Sequence, residues 1–170
     1  MQDPATPNFT LRVPSGDDRP RRVCDACGFV DYVNPKVVVG SVVVSRDKVL
    51  LCRRAIEPRA GYWTLPAGFL EERETLEQGA LREAREEACA ELELEGVLAL
   101  YSIPRISQVQ VMFRASLKGG FAPGPESREV ALFAWEDIPW AELAFPSVHW
   151  ALHHFRAWQG GAPAPFGNPV

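Results

Sequence analysis

Several familiar signatures are missing from this 170-residue chain, and each absence removes a class of function. No apolar run reaches the roughly 18 residues of a membrane-crossing helix, and Met1 to Pro14 lacks the charged-then-apolar order of a secretory leader. The expected location is therefore the cytoplasm, with no membrane partner. The chain has 18 Lys+Arg against 22 Asp+Glu, a net charge of -4, with the two signs interspersed. No basic stripe is left to neutralise a nucleic-acid backbone, so no nucleic-acid partner is expected. A phosphate loop of the glycine-lysine-serine/threonine type and a dinucleotide glycine fingerprint are both absent, which sets kinase and dehydrogenase readings aside. Cysteine is scarce: Cys24 and Cys27 stand close together, while Cys52 and Cys89 are isolated. That is not a secreted disulfide framework, and a reducing compartment fits it better. Cys52 and Cys89 read as small, partly buried residues.

What is present suffices for one main domain, since 46% of the residues are hydrophobic. Residues 1–34 are rich in Pro, Asp and Arg and read as an irregular segment or a very small module. Lys36 to Ser45 is almost continuously β-branched, and Lys48 to Arg53 follows a polar Arg46-Asp47 turn, which predicts a buried hairpin. Tyr62 to Leu65 reads as a short extended piece and Pro66-Ala67-Gly68 as a turn. Thr75 is placed to cap a helix, because Gln78 stands three residues on in the arrangement of a capping box. That helix is expected to end near Ala88. Glu91 to Ile103, Ile106 to Leu117 and Val130 to Trp135 read as strands, and Pro146 to Trp158 as a second helix. The Gly/Ala/Pro tail, residues 161–170, is expected to be loose. Strands on either side of a central helix, with another helix at the end, predict an α/β sandwich with a mixed sheet.

The chemistry concentrates on the first helix. At about 100° per residue, Glu83, Glu86 and Glu87 share one side within an arc of about 100°. Like charges three and four residues apart cost a helix roughly 0.2 to 0.5 kcal/mol per pair, a cost that a divalent cation removes. Hard cations such as Mg²⁺ take carboxylate oxygens together with substrate phosphates. Gly79, one turn before Glu83, leaves space on that face at about 1 kcal/mol of helix propensity. Taken alone, this helix reads more readily as a solvated Glu/Arg face.

Spacing adds what composition lacks. Five residues separate Gly68 from Glu74, seven more precede Arg82-Glu83, and Glu86-Glu87 follow after Ala84-Arg85. The pattern resembles the box of the Nudix hydrolase superfamily, a loop-helix-loop signature. The resemblance implies an α/β/α Nudix sandwich over residues 35–160, in which Glu83, Glu86 and Glu87 ligate Mg²⁺ or Mn²⁺ and the Gly68 carbonyl adds a further ligand. It implies that Glu74 and Arg82 brace the loop against the helix. A water activated by a glutamate base attacks the diphosphate; Glu83, Glu87, Glu129 or Glu126 are the candidates, with Glu129 preferred to Glu126. Where the family usually has glycine this chain has Cys89, so the helix must turn there without glycine's freedom.

Residues 1–34 resemble the zinc ribbon that precedes one Nudix subgroup. Cys24-Asp25-Ala26-Cys27-Gly28 matches one knuckle, whereas Gln2 and Ala5 stand where the other cysteine pair belongs. A tetrahedral zinc site needs four ligands, so a degenerate ribbon is expected and zinc is not. The subgroup includes enzymes acting on flavin adenine dinucleotide (FAD) and ADP-ribose, and the segments around Tyr62 to Gly68, Pro104 to Ile106 and Phe121 to Ser127 resemble theirs. The serine-glutamine-proline-tryptophan stretch of Nudix NADH pyrophosphatases is missing. The resemblance thus implies a pyrophosphatase releasing AMP from FAD or ADP-ribose, ahead of NADH or nucleoside triphosphate hydrolysis or a non-catalytic nucleotide sensor. Arg105, Tyr62, Trp63 and Phe69 are the side chains suited to hold the substrate, although packing or loop structure is the readier role for each. A homodimer is one assembly the resemblance leaves open.

Overall fold

The computed structural model describes residues 8–169. They fall into two compact units divided between Pro35 and Lys36. The first contains a three-stranded antiparallel sheet in the order β1 (Phe9–Arg12), β2 (Arg21–Cys24), β3 (Val30–Asp31). Of the two readings of this segment, irregular chain or very small module, the second holds: it is a small sheet whose strands are too short to show a period. Gln2 and Ala5 lie outside the described residues.

The second unit is built on β4 (Lys36–Ser45) and β5 (Lys48–Arg54), followed by β6 (Trp63–Thr64), β7 (Ala67–Phe69), α1 (Leu76–Ala88), β8 (Leu92–Ile103), β9 (Gln108–Leu117), β10 (Ser127–Phe133) and α2 (Pro146–Gln159). The main path through the mixed sheet runs β10-β5-β4-β9-β8, with β4 and β9 parallel and the other pairs antiparallel. The expected hairpin forms only at its tip, where Val44 pairs with Val49 and Ser45 with Lys48. Arg46 and Asp47 both take positive φ there, 48° and 64°, the sense of turn that matches strand twist. Beyond the tip the two strands separate. Residues 63–69 enter the gap, β6 pairing with β5 through Cys52 and Arg53, and β7 pairing with β4 through Val38 to Gly40. The Pro66-Ala67-Gly68 stretch read as a turn therefore leads into a strand.

Side chains of β4 alternate between two layers. Val39 packs with Ala80, Val111 and Phe113, and Val43 with Leu50, Ala88 and Ala115, which is the α1 side. Val42 packs with Leu51, Leu98, Val148, Leu152 and Phe155, the α2 side. Each such fully buried aliphatic side chain contributes about 1.5 to 3 kcal/mol. The result is the α/β/α sandwich anticipated from the sequence. Among the described residues no helix is long and apolar enough to cross a membrane.

Two local expectations need correction. The tail is held: Phe166 exchanges backbone hydrogen bonds of 2.9 Å with Leu98 and Leu100, its ring stacks on His154 at 4.5 Å, and Asn168 bonds both backbone groups of Ser102. The reason is that β8 ends the sheet, and its free backbone groups take up the passing chain. Cys89 is exposed rather than partly buried, while Cys52 is buried as expected.

Candidate active site

The loop from β7 to α1 and the helix itself are fixed by local chemistry. Thr75 accepts from the Gln78 N–H at 3.2 Å, and the Gln78 side chain accepts from the Thr75 N–H at 2.9 Å, closing the capping box. One turn later Gly79 lies so close to Val39, Leu70 and the Glu74 carboxylate that a β-carbon would sit 2.8, 2.9 and 3.1 Å from them. Gly79 therefore serves close helix packing, not ligand space. At the other end Cys89 adopts the left-handed conformation, φ 46°, and its N–H reaches the Ala84 and Arg85 carbonyls. The glycine-like turn is made without glycine, at a cost of about 1 kcal/mol.

Arg82 organises the mouth of this loop. Its guanidinium donates to both Glu74 oxygens at 2.6 and 3.1 Å, and to the Phe69 carbonyl at 2.8 Å. The remaining nitrogen donates to Glu83 at 2.7 Å and to Glu86 at 2.9 Å. Glu74 in turn accepts from the Glu71 N–H at 3.0 Å. The Arg82 guanidinium holds the Glu74 carboxyl below the usual carboxylate range, with the Glu71 N–H adding to the effect. Loop and helix are thereby joined by a charged fork.

Behind this fork lie two buried carboxylates. Glu83 is 8% and Glu87 5% exposed. Glu83 lies across Gly68 so closely that any β-carbon at position 68 would overlap its carboxylate. Glu87 accepts from the Ala67 N–H at 3.1 Å. Burial pushes the Glu87 carboxyl up to about 8, partly offset by that N–H, while the Glu83 charge raises it further. Burial also raises Glu83, with Arg82 opposing. Glu86, its side chain 57% exposed, stands at the rim.

The loop before β10 closes the far side. Ala122 and Gly124 donate to the Ala88 and Glu87 carbonyls at 2.9 and 3.0 Å. A side chain on Gly124 would run into the backbone of Glu86. This brings Glu126 near enough for its charge to raise both Glu83 and Glu87. Glu129 instead faces Arg53, 3.5 Å away. A register shift between Ser127 and Glu129 separates the two carboxylates.

The side chains expected to hold substrate are scattered. Trp63 is buried, 5% exposed, packed edge-on to Phe133 at 4.9 Å, and so is a core residue. Tyr62 is exposed beneath Arg59, and Phe69 is exposed beneath the Lys36 ammonium at 4.8 Å. Arg105 is exposed on the 3₁₀ turn Pro104–Ile106. In the N-terminal unit the Cys24 thiol is held below its usual range by the N–H groups of Cys27 and Ala26. Gly28, φ 75°, completes that turn by donating to the Cys24 carbonyl at 2.9 Å.

Among the described residues no three acidic, histidine or cysteine side chains converge as a finished metal cage. The donor chemistry nonetheless suits a hard cation. Two adjacent buried carboxylates carry raised affinities for protons, the only hydrogen-bond donor to Glu87 among the described residues is the Ala67 N–H, and Glu86 and Glu126 extend the oxygen set.

Comparison with known proteins agrees with this geometry. The model of the NUDIX domain matches residues 34–163. The chain belongs to the Nudix family. A second model, the Nudix N-terminal zinc ribbon, matches residues 6–33. The chain is 30% identical over 135 residues to an ADP-ribose pyrophosphatase of Methanocaldococcus jannaschii, covering 76% of this chain and 78% of that one. It is 28% identical over 146 residues to the NAD-capped RNA hydrolase NudC of Stutzerimonas stutzeri, covering 84% of this chain and 52% of that protein. The crystal structure of a NUDIX hydrolase from Nitrosomonas europaea superposes with a TM-score of 0.90 at 46% identity, over 98% of this chain and 97% of that one. This Nudix chain is an enzyme of the hydrolase type.

Proposed function

We propose that this Nudix hydrolase cleaves the pyrophosphate of an ADP-linked compound, ADP-ribose first and FAD second, releasing AMP with Mg²⁺ or Mn²⁺ bound. The observation that carries the reading is the pair of buried carboxylates, Glu83 and Glu87, seated against Gly68 and Ala67 with Glu86 and Glu126 beside them. The likeness to an ADP-ribose pyrophosphatase supports the choice of substrate.

Glu83, Glu86 and Glu87, with the Gly68 carbonyl, would hold the cation. Such an ion lowers the pKa of a bound water, neutralises phosphate oxygens and orients the displacement. The chain's own residues do the rest. Glu74 and Arg82 fix the loop so that the Gly68 carbonyl and Glu83 keep their places. Glu126 is the loop carboxylate closest in influence to the buried pair, and we assign it the general-base role in place of Glu129. Glu129 lies instead beside Arg53, 3.5 Å away.

The test is turnover of a panel of ADP-ribose, FAD, NADH and nucleoside triphosphates with Mg²⁺ and Mn²⁺. Wild type is expected to release AMP from ADP-ribose or FAD, and Glu86→Gln combined with Glu87→Gln to abolish it with the fold intact by circular dichroism. Full activity in that double variant, or binding of ADP-ribose without cleavage, refutes the reading.

A further inference from the structure

We propose that the cleft between the Arg59 loop and the start of α2 seats the nucleobase of the substrate, a flat heterocycle whose attached phosphates extend toward Glu87. This rests on the pyrophosphatase reading and adds where the base half goes. The cleft has a volume of ≈ 370 Å³ and is formed by Arg59, Ala144, Phe145, Pro146, His149 and Trp150 among others. That is within the size range of small-molecule sites. Its walls are mostly apolar and aromatic, with Arg59 and His149 as the groups able to meet polar ring edges. Aromatic faces and guanidinium planes are the surfaces on which bases stack.

Position argues for the same occupant. Arg54 links the cleft to the strand edge beside the acidic loop: its guanidinium lies 5.3 Å from the Phe145 ring centroid, and its backbone is in register with Ser127, the residue after Glu126. Its Nε donates to the Pro58 carbonyl at 2.8 Å, which ties it to the loop that carries Arg59. The cleft wall is also joined to the segment bearing Ala67 and Gly68. Ala144 donates to the Trp63 carbonyl at 2.8 Å, and Leu143 bridges to Trp63. A dinucleotide whose phosphates meet a cation at the Glu83-Glu87 pair thus has an aromatic cleft carried on the same run of chain as Ala67 and Gly68, with the Arg54 guanidinium at its edge to meet a phosphate. Tyr62, Trp63 and Phe69, the aromatics singled out from the sequence, are not among its lining residues.

The experiment is a calorimetric titration of the metal-free protein with adenosine, followed by steady-state kinetics on ADP-ribose. Arg59→Ala and His149→Ala are expected each to weaken adenosine binding roughly tenfold, a loss typical of a removed base contact, and to raise KM for ADP-ribose in parallel. Arg59 is exposed, so its variant retains the fold and keeps the test decisive should His149→Ala destabilise α2. Glu86→Gln with Glu87→Gln is expected to lose turnover but keep adenosine affinity. If wild type hydrolyses ADP-ribose and both cleft variants match it in adenosine affinity and KM, the cleft is refuted and the pyrophosphatase reading stands. If wild type cleaves none of the panel, that reading fails, while the adenosine titration still decides the cleft. Failure of wild type to bind adenosine overturns the proposal outright.

Discussion

Gly28 and Gly68 each stand beside side chains of metal-ligating type, and they are glycines for different reasons. Gly28 follows the Cys24-Cys27 turn with φ 75° and has nothing within 4 Å of where a β-carbon would sit. Its need is conformational. Gly68 has no left-handed backbone but would drive a β-carbon into the Glu83 carboxylate, so its need is spatial. The surroundings diverge in the same way. The Cys24 thiol is served by backbone N–H groups of its own turn, a closed local arrangement. Glu83 and Glu87 come from a helix, are buried against another segment, and are raised chiefly by lost hydration. A turn can persist through its own hydrogen bonds after half a ligand set is gone, whereas a buried carboxylate pair is costly without a cation to meet it.

That contrast is open to breakage by substitution. The largest effect is expected from Gly68→Ala, where the new methyl displaces Glu83. Turnover should fall at least a hundredfold and stability by about 1 to 3 kcal/mol, read by steady-state kinetics and urea unfolding. Next is the pH dependence of the metal-free fold. Because folding raises Glu87 from 4.5 to about 8, the native state holds its proton more tightly than the unfolded chain. Stability from this group is therefore full below about pH 4.5 and is lost as pH rises toward 8. Thermal unfolding in a chelator should show a falling Tm between pH 5 and 8 that Glu87→Gln flattens and excess Mg²⁺ reduces. Smaller again is Gly28→Ala, which forces an L-residue into the left-handed region at about 1 to 2 kcal/mol, confined to the N-terminal unit, with turnover retained. The smallest is Cys24→Ser with Cys27→Ser, for which turnover should match wild type and added zinc should leave the melting curve unmoved.

How far each region could be read beforehand follows from what holds it. The α1 limits were legible because Thr75 and Gln78 cap the helix from within four residues, and the box spacing placed Glu83, Glu86 and Glu87 on it. The strand Ala67–Phe69 was not, since it exists only because β4 and β5 part to expose their edges. For Trp63 the sequence offered packing as well as ligand stacking, and packing is what the fold uses: it fills the core against Phe133 of distant β10. Which of Glu126 and Glu129 lies nearer the buried pair depends on a register shift near the start of β10, which no local pattern in Pro125 to Glu129 announces. In the N-terminal unit the individual strands carry no readable period, because they have four, four and two residues; the Cys24-Cys27 knuckle was the only local sign of a small module there.

The most direct measurement is a calorimetric titration of the metal-free protein with Mn²⁺ at pH 7, repeated in two buffers of different ionisation heat. With Glu87 titrating near 8, cation binding should release close to one proton in wild type, and Glu87→Gln should bind weakly with no such release. Equal affinity and equal proton release in the two proteins would contradict the assignment of the buried pair as the cation site.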